Sequence, residues 1–327
     1  MEKMKKWFGG LAVALMAMTI LAGCGKSSEK GDTETSASKK ATALKIGVMP
    51  STDNLPLLVA AKEGLDKENG VRIEIEPFKA AKDRDAAFQA GKVDGVISDV
   101  IALAIYEQGG MDVKVTSTTH DRFDLVAKDD AIKTVNDFKG KSVIVAKNGG
   151  IEYATSKMLE AAGLKDSDVT MVDIPPVPTR LELLKADKAQ GAVLPEPFIT
   201  MGQADGIHVV DSTLKIGLNP FIVGFPEKTI QAKKEAIQGF YKAYDKAVDE
   251  INKNRENKKK VNEYRDILVN NVGFPEELKD EITIDEFPKA SQISEKDITD
   301  AFSWANSKGL LKKDVKASDV LSDVYFK

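Results

Sequence analysis

The chain has 327 residues, a single cysteine, two histidines and a formal net charge of −4. One cysteine excludes a disulfide framework and a cysteine-based metal site, and the acidic balance argues against general nucleic-acid binding. With 42% apolar residues the chain is long enough to bury its own core without covalent staples.

Residues 1–23 read as a leader and not as part of the fold. Lys3, Lys5 and Lys6 precede an apolar run from Leu11 to Leu21 that is too short to span a bilayer comfortably. The run ends in Leu21-Ala22-Gly23-Cys24, which resembles a bacterial lipobox, so Cys24 is expected to carry lipid and become the new N-terminus. The expected location is the outer face of the bacterial cytoplasmic membrane, held there by that lipid. Residues 24–43, rich in Ser, Thr, Lys and Glu, read as a flexible tether. No second long apolar segment follows.

The folded part begins with LKIGVMPSTDNLPLLVAAKEGL (44–65), a strand, a polar break and a helix closed by Gly-Leu. Asp53 or Asn54 is expected to cap the helix, with Pro56 in its first turn. A second strand (71–75), a helical run and a third strand from Asp94-Gly95 follow, and the third strand ends at Ser98-Asp99. A fourth strand (111–119) leads into Thr119-His120-Asp121-Arg122, an interruption that predicts a first crossing between lobes. His120 at such a crossing is more often structural than a ligand contact.

The same plan then repeats. Val143 to Ala146 is a buried strand, Asn148-Gly149-Gly150 breaks it, and a helix runs on to Gly163. Either an ordinary strand–helix turn or a site where backbone N–H groups meet a ligand accounts for these glycines. If Gly150 held positive φ, a side chain there would strain the backbone; otherwise its role is close approach. A strand (169–174), a helical run and a strand from Gln190-Gly191 complete the repeat, ending at Leu194-Pro195-Glu196-Pro197-Phe198. Two such βαβαβ units predict two lobes with mostly parallel sheets, whose ligands sit beyond the carboxyl ends of the strands. Residues 217–221, centred on Asn219, predict the return crossing. In the helix 230–253, Ile237, Phe240, Tyr241, Tyr244, Val248 and Ile251 share one stripe and predict core. Ser294 is expected to cap a late helix, with Ile293 and Ile298 as its hydrophobic staple. Neither His120 nor His208 belongs to a metal-ligand pattern, and no nucleophile–base pair stands out, so no catalytic residue, metal or cofactor is expected.

The lipobox, the loop Pro50–Pro56, Asp94-Gly95 with Ser98-Asp99, Asp137-Phe138-Lys139-Gly140-Lys141, Asn148–Tyr153 and Leu194–Phe198 together resemble the solute-binding lipoproteins of ABC importers. The resemblance is to the SsuA/THI5-like (NMT1-like) branch, which binds sulfonates, nitrate, taurine or thiamine precursors, and it covers 44–254 best. It implies a type II periplasmic-binding-protein fold: two α/β lobes, a cleft between them and two crossovers. Lobe 1 would comprise 44–120 and 215–327, and lobe 2 121–214. The ligand contacts it implies are Ser51, Asp53, Asn54, Ser98, Asp99, Thr119 and His120, then Asn148, Gly149, Gly150, Glu152, Tyr153, Glu196 and Asn219. The partners it implies are a small-molecule solute and an ABC permease with its ATPase, and the protein would act as a monomer. The expected rim holds Asp53, Asp99, Glu152 and Glu196 with little fixed positive charge besides Lys147 and His120, unlike a pure anion binder. Either several carboxylates face away, or the solute carries donors or positive charge, as a pyrimidine-like precursor would. A surface receptor or adhesin on the same scaffold is an alternative. So is an enzyme similar to the pyrimidine synthases or menaquinone-pathway dehydratases, although the Cys-rich motif of the synthases is missing.

Overall fold

The computed structural model describes residues 41–326. The expected leader, Cys24 and nearly all of the expected tether lie outside the described residues.

The first lobe opens with β1 (Thr42–Val48). Alternation along this strand puts Leu44, Ile46 and Val48 on one face, each at most 1% exposed. A 3-10 turn at Thr52–Asn54 leads into α1 (Leu55–Glu63), which stops at Gly64 in the left-handed region (φ 78°). Next come α2 (Leu65–Glu68), β2 (Val71–Pro77), α3 (Ala81–Gln89), β3 (Gly95–Asp99), α4 (Val100–Gln108) and β4 (Val113–Thr118).

The chain then crosses to a second sheet. There it forms β5 (Asp124–Ala127), β6 (Ser142–Val145), α5 (Gly150–Ala161), β7 (Thr170–Asp173), α6 (Val177–Lys185), β8 (Gly191–Leu194), α7 (Phe198–Ala204) and β9 (His208–Ser212). It returns as β10 (Phe221–Pro226) and continues through α8 (Glu227–Lys253), α9 (Lys258–Val272) and α10 (Glu295–Ser307).

Each sheet has five strands, in the orders β2-β1-β3-β10-β4 and β7-β6-β8-β5-β9. In the first, β1 is parallel to β2 and β3, while β10 is antiparallel to β3 and β4. In the second, β6 is parallel to β7 and β8, while β5 is antiparallel to β8 and β9. Both sheets are therefore mixed, with two parallel and two antiparallel pairings each, and the one reversed strand in each is the strand that has just arrived from the other lobe. The internal repeat extends to side chains. Arg84 on α3 and Arg180 on α6 each donate from Nη1 to a carbonyl thirteen residues on, Ile97 at 3.0 Å and Val193 at 2.7 Å. Each arginine thus pins its helix to the third strand of its own unit.

The expected stripe on α8 is core: Ile237, Phe240, Tyr241, Tyr244, Val248 and Ile251 are at most 4% exposed and pack with residues of β1, α1 and α9. Gly239 lies on the same helix because a Cβ there would come within 2.2 Å of the Asn69 carbonyl oxygen. Ser294 accepts a hydrogen bond from the Asp297 N–H, and Ile293 and Ile298 are both buried, as the staple requires. Helix α10 packs on α4, in a cluster with Ile101, Phe302 and Ala305.

Candidate functional site

The carboxyl ends of the two parallel sets face one another. Asp99, at the end of β3, caps α4 by accepting from the Ile101 and Ala102 N–H groups at 3.0 and 2.9 Å. Gly150, at the start of α5, sits so close to it that an added Cβ would fall 2.6 Å from Asp99 Cγ. The positive φ considered for Gly150 is absent: the left-handed residue of this turn is Asn148 (φ 59°), and Gly149 is extended (φ −159°). Close approach is what the glycine serves, and the approaching group is the Asp99 carboxylate.

The loop after β1 folds differently from the expected cap. Ser51, and not Asp53 or Asn54, caps this turn, its Oγ accepting from the Asp53 N–H at 3.3 Å. Asn54 precedes α1 without a side-chain cap bond, because its Nδ2 donates to the Met49 carbonyl at 2.7 Å. Asp53 reaches to the first crossover, where the Thr119 hydroxyl donates to its Oδ2 at 2.9 Å. The Ser51 hydroxyl donates to Asp121, and the Arg122 N–H donates to Asp121 Oδ1 at 2.8 Å. Asp53 Oδ1 and Asn54 Oδ1 are buried without a partner. Burial raises the Asp53 carboxyl to about 6, against the lowering effects of Thr119, Ser51 and Arg84. Asp121 is pushed well above the ordinary carboxylate range by burial and then by the Asp53 charge. Asp99 is also raised by burial, with Arg84 opposing.

Asn219 joins the crossovers: its Nδ2 donates to the Thr119 carbonyl at 2.9 Å while its Oδ1 accepts from the Phe221 N–H at 3.1 Å. Glu196 lies two residues beyond β8 and meets the Arg122 guanidinium at 2.9 Å, with the Thr200 N–H and hydroxyl also donating to it. Burial raises its carboxyl and Arg122 pulls it back. A cavity of about 30 Å³ lies here, lined by Thr52, His120, Asp121, Arg122, Glu196 and Thr200 among others. A larger groove of about 620 Å³, by Gln89, Tyr106, Met111 and Pro226, is at the amino end of β4, the opposite sheet edge, and none of the candidate residues lines it.

Not every candidate residue meets at this junction. Ser98 is buried with its hydroxyl 3.5 Å from that of Tyr106, inside the first lobe. Glu152 accepts from the Asn148 N–H at 2.6 Å and from Lys308, the residue just after α10, at 3.0 Å. Tyr153 is 2% exposed and packs edge-on against Trp304 at 5.4 Å. Glu152 and Tyr153 thus join α5 to α10, a second contact between the lobes. Arg122 and Arg84 are fixed cations here in addition to the expected Lys147 and His120. Arg122 also lies 3.2 Å from Asp124, and Arg84 lies 2.8 Å from Asp85. The signal for Arg122 was its place directly after His120-Asp121 in the crossover; for Arg84 there was none beyond a single charge in a helical run. His208 is structural, its Nε2 2.7 Å from the Ile132 carbonyl. Among the described residues no group of three or more His, Cys, Asp or Glu is placed to hold a metal ion, and no helix is long and apolar enough to cross a membrane.

Two mixed five-stranded α/β lobes, two crossovers and polar side chains gathered between facing strand ends define the class: a bilobal protein of the periplasmic-binding-protein fold. More narrowly, the chain belongs to the NMT1-like family, whose model matches residues 37–264. A Brachyspira hyodysenteriae protein named as an ABC transporter periplasmic binding protein is 28% identical over 265 residues, covering 73% of this chain and 72% of its own. A Bacillus subtilis protein named as an aliphatic sulfonates-binding protein is 25% identical over 176 residues, 51% of each chain. The periplasmic aliphatic sulphonate binding protein SsuA from Escherichia coli shares the fold with a TM-score of 0.70 at 17% identity, over 88% of this chain and 99% of that one.

Proposed function

We propose that this protein is an extracytoplasmic solute-binding lipoprotein that captures a small polar organic solute between its lobes and delivers it to an ABC permease. The observation that carries this reading is the junction itself. Side chains from the β1 loop, both crossovers and the end of β8 converge between two sheets, and two buried acceptors there, on Asp53 and Asn54, lack partners. Such acceptors are costly unless something else supplies donors. The reading places lobe 1 at 44–120 and 215–327, lobe 2 at 121–214, and a lipid anchor at Cys24. We read the role as binding and not as catalysis. The family relationship supports it, since the relatives named above are binding proteins.

The test is native mass spectrometry of the full chain purified from bacterial membranes. The reading expects one small solute per protein, released on denaturation, and loss of membrane retention in Cys24→Ala. A processed Cys24→Ala protein that stays in the membrane would remove the anchor from the proposal. A protein that retains no small molecule from cells or growth medium would remove the solute.

A further inference from the structure

Each cation at the junction is drawn to a carboxylate, although Arg84 Nη2 and Arg122 Nε have no hydrogen-bond partner. Arg84 holds Asp85 and the Ile97 carbonyl, and Arg122 holds Glu196 and lies against Asp124. Among the described residues no ion pair reaches Asp53 or Asp121, although they are 2% and 7% exposed and feel one another's charge. Their bonds come from two hydroxyls and one backbone N–H, none of which carries a compensating charge. Asp53 Oδ1 and the neighbouring Asn54 Oδ1 have no donor at all. The amide orientation of Asn54 is fixed by its Nδ2 bond to the Met49 carbonyl, so its oxygen is the free end.

Two buried carboxyls and an amide oxygen, short of both donors and positive charge, match one ligand chemistry: a cation that brings several N–H groups. We propose that the solute carries a protonated amine or amidine, and that Asp53, Asn54 and Asp121 receive it. This rests on the solute-binding reading and names the class of solute. It sets the protein apart from a receptor for simple anions, since a sulfonate placed against Asp53 and Asp121 would meet two buried acids.

The protonation of the pair supports the assignment. The groups facing it are Arg84 from α3, Tyr244 from α8, Glu196 beyond β8 and Arg122 from its own crossover. With Asp53 at about 6, the pair holds a proton in mildly acidic solution. An arriving cation must displace that proton, so its affinity should fall as the pH drops through this range. An anion would respond in the opposite sense.

The experiment uses the full chain with acetamidinium chloride and sodium methanesulfonate as probes. Binding is followed by ligand-observed NMR at pH 7.5 and pH 5, in the wild type, Asp53→Asn and Asp121→Asn. Circular dichroism confirms that each variant is folded. The proposal expects acetamidinium to bind at pH 7.5, about tenfold more weakly one unit below the Asp53 midpoint, and at least tenfold more weakly in either variant. Methanesulfonate binding that is unchanged or improved by Asp53→Asn would overturn the proposal while leaving a solute-binding protein in place. Failure of both probes to bind would also overturn it, and the solute seen by mass spectrometry would then show separately whether the broader reading stands.

Discussion

On the proposed reading, Asp53 sets stability against binding. Its carboxyl titrates at about 6 in the folded protein, above the ordinary value of 3.8, because burial penalises the charged form. The folded state therefore holds this proton more tightly than the unfolded chain. Stability from this group is greatest at low pH, is lost as the pH rises from about 4 to 6, and stays lost above. Asp53→Asn removes the titration and keeps an oxygen for the Thr119 hydroxyl. It is expected to stabilise the solute-free protein by about 1–3 kcal/mol at pH 7.5 and by almost nothing near pH 4. Thermal melts at the two pH values check this; an equal shift at both would mean that the carboxyl carries no burial penalty.

At the scale of elements, α5 and α10 make a side-chain contact between the lobes that the proposed closure would have to form and break. Lys308 reaches from just after α10 to Glu152 at 3.0 Å and Asp166 at 2.8 Å, and Trp304 meets Tyr153 beside it. The lysine side chain is 29% exposed, so its loss should scarcely alter the folding of either lobe. Lys308→Ala is expected to weaken solute binding about three- to tenfold, roughly 1 kcal/mol, with little change in solute-free melting. Gly150→Val should act more strongly. Its side chain would run into Asp99, at a cost to the closed arrangement of about 1–3 kcal/mol, and leave each lobe intact. Solute titration beside solute-free melting separates the outcomes; a large fall in melting temperature with unchanged affinity would place both residues in the fold alone.

The same elements show what the sequence disclosed. The repeated strand–break–helix plan, the α8 stripe and the Ser294 cap were readable because periodicity and capping are local signals. The reversed β5 and β10 were not, since each pairs with strands far away in the chain. The family resemblance implies Glu152 and Tyr153 as ligand contacts, but the groups that hold them in the fold, Lys308 and Trp304, lie some 150 residues on and are not legible from the local sequence. Asp53 stands out in the sequence as a polar residue beyond the first strand, but the helix cap expected of it is absent. Its partner Thr119 and its neighbour Asp121 became meaningful only once the crossover lay against that loop.

For the whole molecule, the central claim is that a solute is held between two lobes that move on two crossovers. The crossovers are tied by Asn219 to Thr119, while the α5–α10 contact is made by side chains that separate without unfolding either sheet. A bound solute adds contacts to both lobes only when they are closed, so it must shift the population toward the closed form. Small-angle scattering of the solute-free protein and of the protein at saturating solute tests this directly. The account predicts a smaller radius of gyration with solute, and a difference that widens in Lys308→Ala, whose solute-free form should be more open. Superimposable curves with and without solute, in both the wild type and Lys308→Ala, would contradict capture by closure.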